Sequence, residues 1–319
     1  MADISVIIVS WNARNHLMNC LNSIRGSGGS MIREVIVVDN ASADGSPDVV
    51  AEQFPEVTLI QSRENLGFAR ANNLGLKHAS ATYLALINSD IIVHPGCFEK
   101  LVAFLESHRG VGLVGPKTFG SDGRLQRTCR RLPTLWNTFC RSLALDNLFP
   151  RWSLFSGREM RHWDQTSQAE VDVLSGCFWL ARREAVEDVD ELDERFFFYA
   201  EDVDWCKRFR DAGWKVVFVP EATATHFGGG SSNNAPLRYS IEMLRANLIY
   251  WRKHRGIPGE AVFYVLSVIH HSLRLTLRGL NAVSTGDWGG ETAFKFKRSL
   301  VCLRWLLTGK EVGKPRGTN

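Results

Sequence analysis

The sequence predicts an α/β protein: a mostly parallel central sheet flanked by helices, with a helical extension at its C-terminal end. Three observations predict it. Short β-branched apolar runs recur at residues 4–9, 34–39, 57–61 and 83–87. The segments between them have helical spacing, and strand–helix–strand at this interval means parallel βαβ units. Several runs stop on polar or acidic residues, and in open α/β sheets ligands bind at the carboxyl ends of the strands.

The first strand, 4–9, is followed by Ser10-Trp-Asn12 and a helix whose Leu17, Leu21 and Ile24 share one face. The second, 34–39, ends on Asp39. It leads through a stretch of turn and capping residues, 40–45, to a helix over 46–54. The third covers 57–61, and residues 65–75 open the next helix. The fourth, 83–87, stops on Asn88-Ser-Asp90. A carboxylate there is a hard oxygen ligand suited to Mg²⁺ or Mn²⁺ carrying a diphosphate, although Asn, Ser and Asp also simply favour turns. Asp39 and Asp90 are expected at one edge of the sheet, a nucleotide-binding geometry. Neither a Gly-x-Gly-x-x-Gly fingerprint nor a Walker motif follows the first strand, so a phosphate site would rest on a metal instead of a glycine nest.

Further along, a helix is predicted over 95–108, a strand over 111–114 and a hairpin turn at Ser121-Asp-Gly-Arg124. Residues 129–168 are basic and aromatic and fit either an acceptor-side insertion or packed surface helices. Phe196 to Tyr199 read as core aromatics. They precede Glu201, Asp202 and Asp204, which open a helix to about 212. Acids in a first helical turn suit the helix dipole. An acid pair beside an aromatic wall also suits a general base. A strand over 215–219 precedes His226, which on its own reads as structural.

Composition narrows the class. The chain has 319 residues, 45% hydrophobic and 23% charged, as expected of a globular protein. Its seven cysteines form no Cys-x-x-Cys, which excludes a zinc ribbon or a thioredoxin-like motif. The odd count and the lack of a basic leader predict a reducing, cytoplasmic setting. From Pro236 onward 14 Lys and Arg face 5 Asp and Glu, a net +9, whereas residues 1–235 hold 24 against 29, a net −5. A basic C-terminal third points to an anionic partner. Helices are predicted there over 236–255, 259–283 and 293–307, with no run apolar enough to span a bilayer. They fit an anionic membrane surface, a homodimer contact or a helical cap on the first domain.

Four blocks carry a family resemblance: Ser-Val-Ile-Ile-Val-Ser-Trp-Asn, Val-Val-Asp-Asn-Ala-Ser-Ala-Asp-Gly-Ser, Glu-Asn-Leu-Gly-Phe-Ala-Arg-Ala-Asn-Asn-Leu-Gly and Phe-Phe-Phe-Tyr-Ala-Glu-Asp-Val-Asp-Trp-Cys. In this order, with Asn-Ser-Asp between the third and fourth, the chain resembles the inverting, metal-dependent glycosyltransferases of the GT-A fold. It is most similar to the bacterial rhamnosyltransferase and galactofuranosyltransferase group of cell-envelope polysaccharide synthesis. The resemblance spans roughly residues 3–230. It implies a GT-A catalytic domain over 1–235, with a donor half at about 1–116 and an acceptor half at about 117–235. The extension is then 236–319.

The resemblance also implies roles. Ser10, Trp11 and Asn12 would line the nucleotide pocket, and Asp39 would bind base or ribose. Gly67 and Phe68 would let backbone and ring approach the nucleotide, with Asn73 nearby. Asn88, Ser89 and Asp90 stand where the family usually has Asp-x-Asp. Asp90 would hold Mn²⁺ or Mg²⁺ on the donor diphosphate, and His226 would complete the metal shell. Asn88 brings a carbonyl but no charge. Asp202 matches the catalytic base, with Glu201 the other candidate, and Asp204 is expected to pair within its helix. The implied partners are a nucleotide-diphosphate sugar, first dTDP-rhamnose, and a saccharide or lipid-linked saccharide acceptor. The expected location is the cytoplasm, at the inner face of the membrane. A nucleotidyltransferase would need a glycine-rich basic loop after the first strand, and residues 10–14 do not supply one. A nucleic-acid binder using the basic tail would leave the acids unexplained.

Overall fold

The structure, a computed structural model, describes residues 3–27, 29–228, 235–286 and 289–310. The predicted Gly228-Gly-Gly230 run is described only at Gly228, and the last nine residues of the extension lie outside the described residues. The elements in order are β1 (Ile4–Ser10), α1 (Arg14–Ser27), β2 (Ile32–Asp39), α2 (Ser46–Gln53), β3 (Thr58–Gln61), α3 (Gly67–Leu76), β4 (Tyr83–Asn88), β5 (Ile91–Val93), α4 (Cys97–Ser107), β6 (Val111–Phe119), β7 (Leu125–Gln126) and β8 (Cys129–Arg130). There follow α5 (Leu135–Ser142), α6 (Leu145–Leu148), α7 (Ser153–Ser156), β9 (Ala169–Glu170), β10 (Val173–Leu174), β11 (Phe178–Arg182), α8 (Arg183–Val189), α9 (Glu201–Asp211), β12 (Lys215–His226), α10 (Pro236–Thr285) and α11 (Gly290–Thr308).

The chain forms two compact units, one running to Leu132 and resuming at Trp163, the other holding Pro133–His162 and the residues from 235 onward. In the first, the sheet order is β3-β2-β1-β4-β11-β6-β12-β5. β3, β2, β1 and β4 are mutually parallel, as the βαβ spacing predicts. β11 runs antiparallel between β4 and β6, and β6 pairs parallel with β12. β1 and β4 are almost wholly buried, which explains why they read as unbroken apolar runs. The chain steps outward from β1 to β3, then returns to β4 on the other side of β1. The carboxyl ends of β1 and β4 therefore flank a topological switch point.

Three strand predictions needed correction. β6 does not stop at Val114 but runs on through Gly115 and Pro116 to Phe119, paired with β12. β12 does not stop at Val219 but continues to His226, because a register shift between Val219 and Thr223 absorbs Pro220, which has no N–H to give the ladder. β5 was not foreseen; it exists because the far end of β12 offers it an antiparallel partner. Of the four aromatics read as core, Phe196 is buried, while Phe197, Phe198 and Tyr199 are half-exposed. All seven cysteines are buried free thiols.

In the second unit α5 packs on α10, as does α11. A small core of Leu244, Cys302 and Leu306 is flanked by Tyr264, Val268 and Trp305. α10 breaks at Gly256, whose φ of 65° suits glycine, two residues before Pro258. The predicted stop after residue 255 is thus a kink between two helical segments. No helix among the described residues is long and apolar enough to cross a membrane.

Candidate active site

Sheet register places the first group. Ser10 pairs with Asp39 across β1 and β2, and Val9 with Asn88 across β1 and β4. Three predicted residues therefore stand side by side at the carboxyl edge. Ser10 Oγ and Asp39 Oδ1 are buried without a hydrogen-bond partner, while Asp39 Oδ2 accepts from Ser42 N at 3.0 Å. Buried polar atoms are rarely left unpaired, so the two orphans mark a place for a ligand's donors and acceptors. The loops after β1 and β2 brace each other. Asn12 Oδ1 accepts from Ala43 N at 2.8 Å, and Asn12 N donates to Ser42 Oγ at 2.9 Å. Asn12 holds a left-handed φ of 50° to do so, and Trp11 beside it is half-buried.

Gly67 opens α3 at φ +80°, and a Cβ there would stand 2.4 Å from Phe197 O. Phe68 N donates to the same carbonyl at 2.7 Å. The glycine is needed for close approach between these two segments. Phe68 meets Phe198 at 6.3 Å and Trp179 at 6.5 Å, both edge-on. Asn73 is committed elsewhere. Its amide donates to Leu192 O at 2.7 Å and accepts from Leu192 N at 3.0 Å, tying α3 to the segment that leads toward α9.

A second group forms where β5 meets the end of β12. Phe227 N donates to Asp90 O, and His226 pairs with Ile91. This brings His226 Nε2 to 3.2 Å from Asp90 Oδ1. His226 Nδ1 lies 2.7 Å from Gln126 Oε1, an acceptor, so the ring donates there and turns the Nε2 lone pair toward Asp90. Two lone-pair atoms this close call for a proton or a cation between them. An imidazole steadied through its far nitrogen beside a carboxylate is a metal-ligand arrangement. The Asn88 amide sits 3.5 Å from the same Nε2, and Ser89 is half-buried in the turn between them. Burial works to raise the Asp90 carboxyl, but a proton carried on His226 Nε2, through its hydrogen bond and charge, outweighs it and holds the group below the usual carboxylate range. Burial, helped by the Asp90 charge, pushes the Cys177 thiol up to about 12, which favours the protonated thiol at neutral pH. Among the described residues no three His, Cys, Asp or Glu side chains are grouped to hold a metal.

The third group heads α9. Tyr199 and Ala200 both hold left-handed φ, 73° and 63°, strain that non-glycine residues accept chiefly at functional sites. They set the direction in which α9 begins. Glu201 is buried with Oε2 unpartnered. Burial first, then the charge of Asp202, raises its carboxyl well above the ordinary range, favouring the neutral form. Asp202 is half-exposed, and its Oδ1 accepts from Val203 N at 2.8 Å. Asp204 is fully buried and paired with Arg208 at 2.9 Å, the in-helix pairing expected of it. Both the second and third groups border one loop: Asn88 N donates to Cys177 O at 2.9 Å, and Cys206 Sγ on α9 donates to Leu174 O at 3.6 Å.

Sequence reasoning missed Gln126 and Asn40. Gln126 carries no signal of its own, since it reaches His226 only through the β6–β7 hairpin. Asn40 ties the end of β2 to the start of α3, donating to Asn65 Oδ1 and Gly67 O and accepting from Leu66 N. The alternation Ala222-Thr-Ala-Thr-His226 is the one signal that could have carried β12 past Pro220 to the histidine.

A parallel nucleotide-side sheet, a carboxylate–histidine pair at its edge and an acid pair heading an inner helix define an α/β protein of the GT-A type. The model of the family described as "Glycosyl transferase family 2" matches residues 5–190. The chain belongs to glycosyl transferase family 2 and is a glycosyltransferase. It is 30% identical over 265 residues to an N-acetylglucosaminyl-diphospho-decaprenol L-rhamnosyltransferase of Mycobacterium tuberculosis, covering 79% of this chain and 85% of that one. It is 26% identical over 227 residues to the glycosyltransferase AglE of Haloferax volcanii, covering 70% and 66%. Its fold is similar to that of the mannosyltransferase PcManGT from Pyrobaculum calidifontis, solved with GDP-Man and Mn²⁺. That match has a TM-score of 0.59 and 17% identity, over 98% of this chain and 90% of that one.

Proposed function

We propose that the chain is an inverting, metal-dependent glycosyltransferase of cell-envelope polysaccharide synthesis, moving rhamnose from dTDP-rhamnose to a lipid-linked saccharide at the inner face of the membrane. The donor and acceptor classes are supported by the rhamnosyltransferase relative, whose name carries a decaprenol diphosphate. The observation that carries the metal-dependent reading is the Asp90–His226 pair, with Gln126 holding the imidazole so that Nε2 faces the carboxylate.

The donor side is built from residues 1–116 and the acceptor side from within 117–235. Asp39 Oδ1 accepts an N–H of the base, and Ser10 Oγ bonds the nucleoside, giving both orphans a partner. Asp90 and His226 Nε2 would hold Mn²⁺ or Mg²⁺, with the Asn88 carbonyl in reserve. When bound, that ion offsets the charge growing on the leaving diphosphate. Asp202 takes the proton from the acceptor hydroxyl as the oxygen bonds to the anomeric carbon and the carbon–phosphate-oxygen bond breaks on the opposite face. Glu201, favoured neutral beside it, is poorly placed to take that proton and keeps a second negative charge away from Asp202. A panel of sugar nucleotides tested for protection against heat or protease, with and without Mn²⁺, checks the reading. Protection by dTDP-rhamnose that depends on Mn²⁺ is expected. No protection by any member of the panel would overturn it.

A further inference from the structure

The second unit carries a surface that water does not suit. Of the twenty large hydrophobic side chains exposed among the described residues, nineteen lie in this unit, and Phe227 is the exception. Six of them, Val262, Val265, Ile269, Leu273, Leu277 and Leu280, follow one another at steps of three or four along the second segment of α10. They form one outward row, 37–64% exposed. The same segment buries Phe263, Ser267 and Ala282 and turns its cations to the packed side. There Arg274 and Arg278 stand with His270 and His271 near Arg141 of α5 and Arg298 of α11, with Asp146 as an opposing charge. Arg278 Nη1 bonds Lys295 O and Ser299 Oγ of α11. The usual polarity of a surface helix, apolar inward and charged outward, is reversed.

Beside it, on α5–α7, the rings of Trp136, Phe139, Phe149, Trp152 and Phe155 touch in a chain with centroids 5.1–6.4 Å apart. Trp152 is 62% exposed. Residues 133–162 and 236–319 together hold 18 Lys and Arg against 7 Asp and Glu, net +11; the rest of the chain holds 20 against 27, net −7. Two copies meeting through such a unit would bring like charges together. An anionic bilayer meets both features at once, with acyl chains for the apolar row and rings and lipid phosphates for the unit's excess positive charge.

We propose that this unit docks in the interface of an anionic bilayer, the outer row of α10 and the Trp136–Trp152 rings reaching the acyl boundary and the unit's net positive charge drawing it to lipid phosphates. This deepens the lipid-linked acceptor reading by naming the side chains that bring the enzyme to its substrate's surface.

Flotation of the full chain with vesicles tests it, using phosphatidylglycerol in phosphatidylcholine against phosphatidylcholine alone, with neither donor nor acceptor present. Binding to the anionic vesicles is expected. It should fall at least tenfold in a Leu273→Asp, Leu277→Asp variant, and high salt should abolish the preference for phosphatidylglycerol. Quenching of wild-type tryptophan fluorescence by brominated acyl chains reads the same contact without a variant. No flotation and no quenching would overturn the proposal. So would a stable dimer in sedimentation that the leucine changes dissociate, since a second copy would then cover the row. Transfer to a soluble saccharide acceptor, measured in parallel, tests the catalytic reading separately, so either can fail alone.

Discussion

The two acidic stations of the catalytic unit are built in opposite ways. Asp90 sits where two short strands meet, its carbonyl bonded to Phe227 N and its carboxylate facing a histidine that Gln126 steadies. Its charge is answered within the protein, and the backbone around it is regular. Glu201 and Asp202 follow two left-handed residues. Glu201 has a buried oxygen with no partner, and Arg208, the nearby cation, is committed to Asp204. A ligand-holding carboxylate benefits from a stiff, pre-balanced setting. A carboxylate proposed to accept a proton, as Asp202 is, must stay uncompensated until the reaction supplies it. The strain at Tyr199 and Ala200 buys that second arrangement.

The sharpest break of this contrast is Asp202→Asn. Transfer should fall by about 10²–10⁴-fold with nucleotide binding kept, as read by turnover and by titration of the nucleoside diphosphate. Normal turnover would remove Asp202 from the base role. At the other station Gln126→Leu should lower Mn²⁺ affinity by about 10–100-fold while leaving the melting temperature near that of the parent. An unchanged metal titration would show that the histidine does not need its far nitrogen held.

Smaller effects sharpen the comparison. Asn73→Ala leaves Leu192 N–H and C=O without their partner and should cost about 1–3 kcal/mol in denaturant unfolding. A loss near zero would mean water takes over both bonds. Glu201→Gln should raise stability, and the sign of its pH dependence is set by the raised carboxyl. An acid whose folded-state value is raised contributes stability that is complete below its unfolded value and lost as pH rises through the folded one. Glutamine has no such loss. The gain in Tm should therefore grow from about pH 5 to about pH 8, to about 2–4 °C if the penalty is ~1 kcal/mol. A gain that shrinks with rising pH would contradict a neutral Glu201.

Much of the fold was legible because its signals are local. β1, β2 and β4 are buried on both faces, so their β-branched runs stand out, and each ends where its polar residues begin. Asp39, Asp90, Glu201 and Asp202 were readable as acids at element ends. β5 and the far half of β12 were not. β5 spans three residues and exists only by pairing, and Pro220 hid the continuation of β12. Residues 129–168 were unreadable for a related reason: α6 and α7 are four residues each, too short to show a period.

By itself the sequence determined which residues could carry chemistry and at which ends of which elements they stand, because hydrophobic periodicity and capping act over a few residues. Only the tertiary structure decided their company. It set His226 against Asp90, committed Asn73 to Leu192 and drew Gln126 into the site. Such pairings depend on strand register and loop closure between residues up to about 140 positions apart, and no local pattern encodes them.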